Sequence, residues 1–147
     1  ALAGFIIEAA GVGTGKIFGR YVYGDTLGIK LLDTPLLIGI NWAMLTVAAS
    51  SLTGRLRVHP ILKVTSASLI MLSYDLLLEQ VAGRLDMWHW ENGVVPIQNY
   101  IAWFAVAMLL NSVMRFNRGN ADFRIALTVL LCHSLFLAAL NVYFSFR

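Results

Sequence analysis

Charge is what this 147-residue sequence has least of: 13% of its residues are charged and 59% are hydrophobic. Soluble domains run near about 25% charged and about 45–50% apolar, so too little charge is present to cover the surface of a water-soluble domain of this size. The composition is that of a membrane protein. Cysteine is nearly absent. The single Cys132 excludes an intrachain disulfide and a zinc cluster built on thiolates; lying in an apolar run, it is expected as a buried, inert thiol. A basic block is also missing. The 11 basic and 8 acidic residues give a net charge of +3, but the basic residues are scattered, so nucleic acid is not expected as a partner. His59, His89 and His133 form no HxxxH or HxxH pair, which leaves a di-iron desaturase or hydroxylase unsupported. His133 is expected as a hydrogen-bonded histidine inside the fold. No repeat and no low-complexity segment is visible. The chain opens on apolar residues without a basic n-region and cleavage site, so no signal peptide is read, and a truncated start with one or more earlier spans is expected.

What is present is a series of long apolar runs. A bilayer core of about 30 Å needs about 20 apolar residues per helix. Residues 34–54, 97–114 and 125–144 carry no formal charge, 64–83 carry only Asp75 and Glu79, and 1–15 carry only Glu8. The expectation is an all-α, polytopic transmembrane helical bundle forming a single integral-membrane domain over residues 1–147. About five spans fall near 1–17, 34–54, 62–83, 97–114 and 124–144. Arg55, Arg57, Lys63, Arg115, Arg118 and Arg124 lie on one side, and Lys16, Arg20, Lys30, Arg84 and Arg147 on the other. Charge density in the short loops places the first set in the cytoplasm.

Two connections on the other side are unusual. Gly19-Arg-Tyr-Val-Tyr-Gly-Asp25 precedes the second span, and Asp86-Met-Trp-His-Trp-Glu91 follows the third. An interfacial aromatic belt accounts for any one of Tyr21, Tyr23, Trp88 or Trp90. Two aromatic–acidic clusters on one face are more than a belt requires.

Asp75 and Glu79 are the strongest signal. A carboxylate at mid-membrane costs about 2.5–3.5 kcal/mol on insertion scales, which makes it a functional-site candidate by default. Their i, i+4 spacing puts both on one helical face with Ser68, Met71 and Ala82. Two carboxyls that close in a dry place do not both ionise easily, so the proton belongs to the pair and an acid stands beside a base. General acid–base catalysis needs that arrangement. The competing structural reading pairs these acids with Arg84 or Arg20, and Glu8 with Lys16, as helix locks. Gly11-Val-Gly-Thr-Gly15-Lys16 lacks a phosphate loop's glycine at Ala10 and hydroxyl at Ile17, and no strand is predicted before it; its glycines suit close helix packing. Asp75-Leu-Leu-Leu-Glu79 is only half of the paired aspartate-rich set that a membrane prenyltransferase needs.

Glu8-Ala-Ala-Gly-Val-Gly-Thr-Gly15, Phe18-Gly-Arg-Tyr-Val-Tyr-Gly24, Leu27-Gly, Thr34-Pro-Leu and Asn41-Trp42 resemble the opening motifs of the membrane carotenoid biosynthesis protein family, which includes carotenoid hydratases. Tyr74-Asp75-Leu-Leu-Leu-Glu79, Trp88-His-Trp90 and Val95-Pro96-Ile-Gln-Asn99-Tyr-Ile-Ala-Trp103 resemble its later motifs in the same order. The chain departs from the pattern at Gln80, where a proline is expected after the second acid. The resemblance implies a lipid-soluble carotenoid substrate within the bilayer of a bacterial inner membrane. The reaction it implies is cofactor-independent addition of water to the terminal double bond of an acyclic ψ end group. Asp75 is then the proton donor, and Glu79 or Glu8 the base that activates water. Tyr21, Tyr23, Trp88 and Trp90 line the cation site, and Asp25 and Asn99 orient water. No metal and no cofactor is expected, and the partners left open are a second copy of the chain or other carotenoid enzymes. Alternatives are a carotenoid end-group cyclase, an enzyme for another isoprenoid, and a non-enzymatic carrier or proton relay with its acids spread across the bilayer.

Overall fold

In the computed structural model, residues 1–116 and 122–146 are described. Among them, four helices are long and apolar enough to cross a membrane: α2 (Leu36–Gly54), α3 (Pro60–Ala82), α4 (Ile97–Phe116) and α5 (Phe123–Ser145). The preceding α1 (Leu2–Thr14) has 13 residues and is shorter. The fold is mostly α. A membrane forces this outcome, because hydrocarbon offers no partner to backbone N–H and C=O groups and a helix satisfies them within one segment. Hydroxyls inside the helices follow the same rule. Thr46, Thr53 and Ser68 each donate back to the carbonyl four residues earlier, at 2.7, 3.0 and 2.9 Å.

Local chemistry sets the helix ends. Gly15 closes α1 in the left-handed conformation at φ 64°, where a side chain would be strained. Pro60 starts α3 behind His59, whose Nδ1 accepts from the Ile61 N–H, and Asp122 caps α5 by accepting from the N–H groups of Arg124 and Ile125. The helix α3 continues through Gln80 to Ala82, since glutamine keeps the N–H that proline would remove.

Packing runs through small residues. Gly4 of α1 lies against the Trp42 side chain of α2, and Gly39 of α2 against Phe5 of α1, so neither position has room for a Cβ. The glycine run of residues 11–15 does not pack on another helix as expected: Gly11 meets Phe18 and Gly15 meets Arg20, both in the loop that follows α1, and Gly13 has nothing within 4 Å. At the far end of the bundle, Ser50 donates to Asn111 Oδ1 at 2.6 Å, while Asn111 Nδ2 donates to the Ala107 carbonyl at 2.8 Å and to Ser68 Oγ at 3.3 Å. That node ties α2, α3 and α4 together.

The connections before α2 and after α3 contain short strands that composition did not suggest. The strand β1 (Tyr21–Tyr23) pairs antiparallel with β4 (Trp88–Trp90), Tyr21 opposite Trp90 and Tyr23 opposite Trp88. A second small ladder joins β2 (Lys30–Leu31) to β3 (Thr34–Pro35). Gly24 N–H donates to the Met87 carbonyl, Thr26 Oγ1 to the Leu85 carbonyl and Glu91 N–H to the Arg20 carbonyl, so the two loops form one layer over one end of the bundle.

Two expectations are corrected on α5. Cys132 is exposed rather than buried, and His133 lies on the outer face with its Nδ1 2.8 Å from the Val129 carbonyl. Only Ala126, Leu130 and Leu137 of this helix are buried. Leu140 and Phe144 are half-buried against the core, and Ile125, Leu131, Leu135, Phe136 and Val142 are exposed, as a lipid-facing helix requires. Arg118 and Arg147, used in the orientation argument, lie outside the described residues.

Candidate active site

The carboxylates of α1 and α3 meet beneath the strand layer. Counted back from the end of α3 at Ala82, Asp75 sits about 10 Å into the bundle and Glu79 one turn nearer the loops. Asp75 is fully buried, and Glu79 and Glu8 nearly so. Among the described residues, no cation pairs with any of the three. Arg84 donates instead to the Phe144 carbonyl at 2.5 Å, Arg20 faces Glu91 at 4.0 Å on the surface, and Lys16 is exposed. The arginine and lysine locks considered from the sequence are therefore absent at these acids.

Aromatic and amide donors hold the acids instead. Glu8 Oε1 accepts from the Tyr21 hydroxyl and, at 2.7 Å, from the Tyr23 hydroxyl, while Glu8 Oε2 accepts from Trp42 Nε1 at 3.0 Å. Glu79 Oε2 accepts from Trp88 Nε1 at 3.1 Å and Trp90 Nε1 at 2.9 Å. Asn99, at the start of α4, bridges the pair: its Nδ2 donates to Asp75 Oδ2 at 3.2 Å and to Glu79 Oε1 at 3.1 Å. Among the described residues, Asp75 Oδ1 is the one buried side-chain oxygen or nitrogen without a hydrogen-bond partner.

The register of β1 on β4 produces this arrangement. Alternation along three-residue strands points Tyr21 and Tyr23, and likewise Trp88 and Trp90, to the same side. That side is the bundle, and Val22 and His89 point out. The rings then meet across the ladder, Tyr21 to Trp90 at 4.9 Å between centroids and Tyr23 to Trp88 at 6.1 Å. The donors divide by chain segment. Glu8 is held only by residues up to Trp42, and Glu79 only by residues from Trp88 onward. Burial, with the Glu8 charge beside them, holds the Tyr21 and Tyr23 hydroxyls well above the usual tyrosine range, so both stay protonated donors.

A cavity of about 20 Å³ lies between Glu8 and Glu79, walled by the rings of Tyr21, Tyr23, Trp88, Trp90 and Trp103. That is room for one water molecule among polar partners. Asp75 lies one turn below it and is not part of its wall. A larger open pocket of about 500 Å³ lies outside, on the loop face, and shares Tyr21 and Trp90 with the inner cavity.

Of the residues proposed from the sequence, Asp75, Glu79, Glu8, Tyr21, Tyr23, Trp88, Trp90 and Asn99 come together. Asp25 does not. Its side chain is 97% exposed and pairs with Lys30 at 3.0 Å, because the chain turns outward at Gly24, which is packed against Asp86. Asn99 stands between the two acids. Trp42 and Trp103 were not singled out, yet they stack at 4.0 Å with a 24° interplanar angle, and Trp42 bonds directly to Glu8. Both fall in motifs that carry the family resemblance, which was the signal available. Among the described residues, no group of three or more His, Cys, Asp or Glu is placed to hold a metal ion.

The model of the family described as carotenoid biosynthesis protein matches residues 1–146. No curated protein and no solved structure matches the chain.

Proposed function

The chain belongs to the carotenoid biosynthesis protein family, and from that premise we propose that it is a membrane enzyme adding water to the terminal double bond of an acyclic carotenoid. A bacterial inner membrane is the proposed setting. The observation that carries the reading is the unpartnered, buried Asp75 Oδ1 beside a second carboxylate. Because Asn99 donates to Oδ2, that oxygen is the acceptor side of the acid, and the proton of a neutral Asp75 belongs on Oδ1.

The step balances without a further reactant. Oδ1–H gives its proton to the terminal alkene, a C–H bond forms, and the π electrons leave a tertiary carbocation. Water attacks the cation through oxygen, and Glu79 or Glu8 takes the proton that the new hydroxyl sheds. Transfer of one proton back to Asp75 resets the site. Facing rings stabilise a desolvated cation by about 2 kcal/mol or more, and five rings surround the water-sized cavity. The acids converge near one end of the bundle, which favours a single reaction chamber over a relay spread through the bilayer.

The same rings also suit capture of the cation by an internal alkene, the cyclase reading. Product mass separates the two, since only hydration adds the mass of water. The test is pigment chromatography with mass spectrometry in a bacterium that makes acyclic carotenoids. The wild type yields the hydrated product, and Asp75→Asn yields none at an equal protein level. Normal product from Asp75→Asn refutes the donor assignment.

A further inference from the structure

We infer that the open pocket on the loop face is the aqueous vestibule of the acid chamber, and that Tyr21 and Trp90 are the wall through which water reaches it. The inner cavity has room for one water, so a hydrating enzyme must refill it at every turnover. The outer pocket, about 500 Å³, falls in the size range of small-molecule sites, about 300–1,000 Å³. Its rim carries Arg20 and Glu91, whose side chains are 74% and 59% exposed. Charged groups of that exposure are expensive in hydrocarbon, so the mouth opens to water and headgroups rather than to acyl chains.

The two compartments share the Tyr21 and Trp90 rings and are separated by their contact. Each ring is tethered to a different acid: the Tyr21 hydroxyl donates to Glu8, and Trp90 Nε1 donates to Glu79. These charge-assisted bonds weaken when the acceptor carboxylate takes up a proton. The wall is therefore loosest just after the base has taken the proton shed by the new hydroxyl, when the next water is required. The carotenoid, dissolved in lipid, has no use for a charged mouth, so the vestibule serves the small polar reactant.

One position tests this without touching the chamber. A Cβ at Gly13, on the last turn of α1 and in the wall of the pocket, would meet nothing within 4 Å. Gly13→Cys is treated with a charged, bilayer-impermeant thiosulfonate supplied on both sides of the membrane. The native Cys132 serves as the lipid-facing reference, because an ionic reagent does not reach a thiol in hydrocarbon. The expected result is a label on Gly13→Cys that the wild type does not acquire. A further loss of most hydration activity is expected on labelling, measured against the unlabelled variant. Val22→Cys, 65% exposed on the same pocket, gives a second probe should Gly13→Cys fold poorly. Exclusion of the reagent from both positions overturns the aqueous assignment, and labelling that leaves turnover intact overturns the supply role. The functional arm rests on the hydration reading. If the unmodified enzyme makes no hydrated product, that reading fails while the labelling result still decides whether the pocket is aqueous.

Discussion

Replacing Asn99 with leucine removes one side chain from between two buried carboxyls at nearly constant volume. Asn99 is 2% exposed and donates both amide hydrogens, at 3.2 Å to Asp75 and 3.1 Å to Glu79. A hydrogen bond to a charged acceptor is worth about 1.5–3 kcal/mol and one to a neutral acceptor about 0.5–1.5 kcal/mol. With one of the acids ionised, Asn99→Leu should destabilise the fold by about 2–4.5 kcal/mol, since leucine supplies no donor to either acid. For a chain of this size that corresponds to a fall in Tm of about 5–15 °C. The assay is helix loss on heating in detergent, followed by circular dichroism, with hydrated product measured in parallel. A double-mutant cycle with Asp75→Asn should be non-additive by about 0.5–3 kcal/mol, because the two residues are in contact. A Tm within about 2 °C of the wild type refutes the bridge, as that shift is less than half the smallest fall worked for the two bonds.

Four other outcomes are expected. Trp42→Phe should keep an aromatic stack on Trp103 but lose the donor to Glu8, lowering stability by about 1.5–3 kcal/mol, read as a Tm shift. Gly24→Ala should force the two loops apart, because its Cβ would overlap the Asp86 carbonyl; overpacking of this kind costs about 1–3 kcal/mol and should show as faster proteolysis within the strand layer. Asn111→Leu should loosen the far end of α2, α3 and α4 while leaving product identity unchanged, measured by Tm and pigment mass. Hydrogen bonds from His89 and from the Asp25 N–H hold the exposed Asp86 carboxyl below the usual aspartate range. Its support of the loops is therefore present above that range and fades as pH falls through the lowered value; tryptophan fluorescence should show an acid transition there that Asp86→Asn lacks.

The spans were legible because hydropathy along the chain is almost one-dimensional: a stretch without charge, long enough for a bilayer, has few other structures open to it. Asp75 and Glu79 were legible for the same reason inverted, as charges where charge is expensive. Burial on α5 was not legible. In a bilayer the outside is as apolar as the inside, so the run around Cys132 and His133 carried no mark of which face would pack. The β1–β4 ladder was hidden too. Strands of three residues more than sixty positions apart leave no periodicity to find, though the aromatic–acidic content of both loops had placed them on one face. That Asp25 would lie apart from the other candidates was not legible either, because sequence proximity to Tyr23 says nothing about the turn at Gly24. Trp42 and Trp103 were visible only as letters in a motif, since a stacked pair on two helices has no spacing rule.

Each acid draws its aromatic donors from its own half of the chain, so the reaction chamber is built like a book with two leaves. Between the leaves the rings meet in three ways, Tyr21 tilted against Trp90, Tyr23 edge-on to Trp88 and Trp42 stacked on Trp103. Such ring pairs contribute about 0.5–1.5 kcal/mol each beyond the area they bury. Parting the rings would leave every hydrogen bond to Glu8 and Glu79 in place. The ring contacts and the β1–β4 ladder thus close the two leaves on each other, while each of these carboxylates keeps its donors within its own leaf.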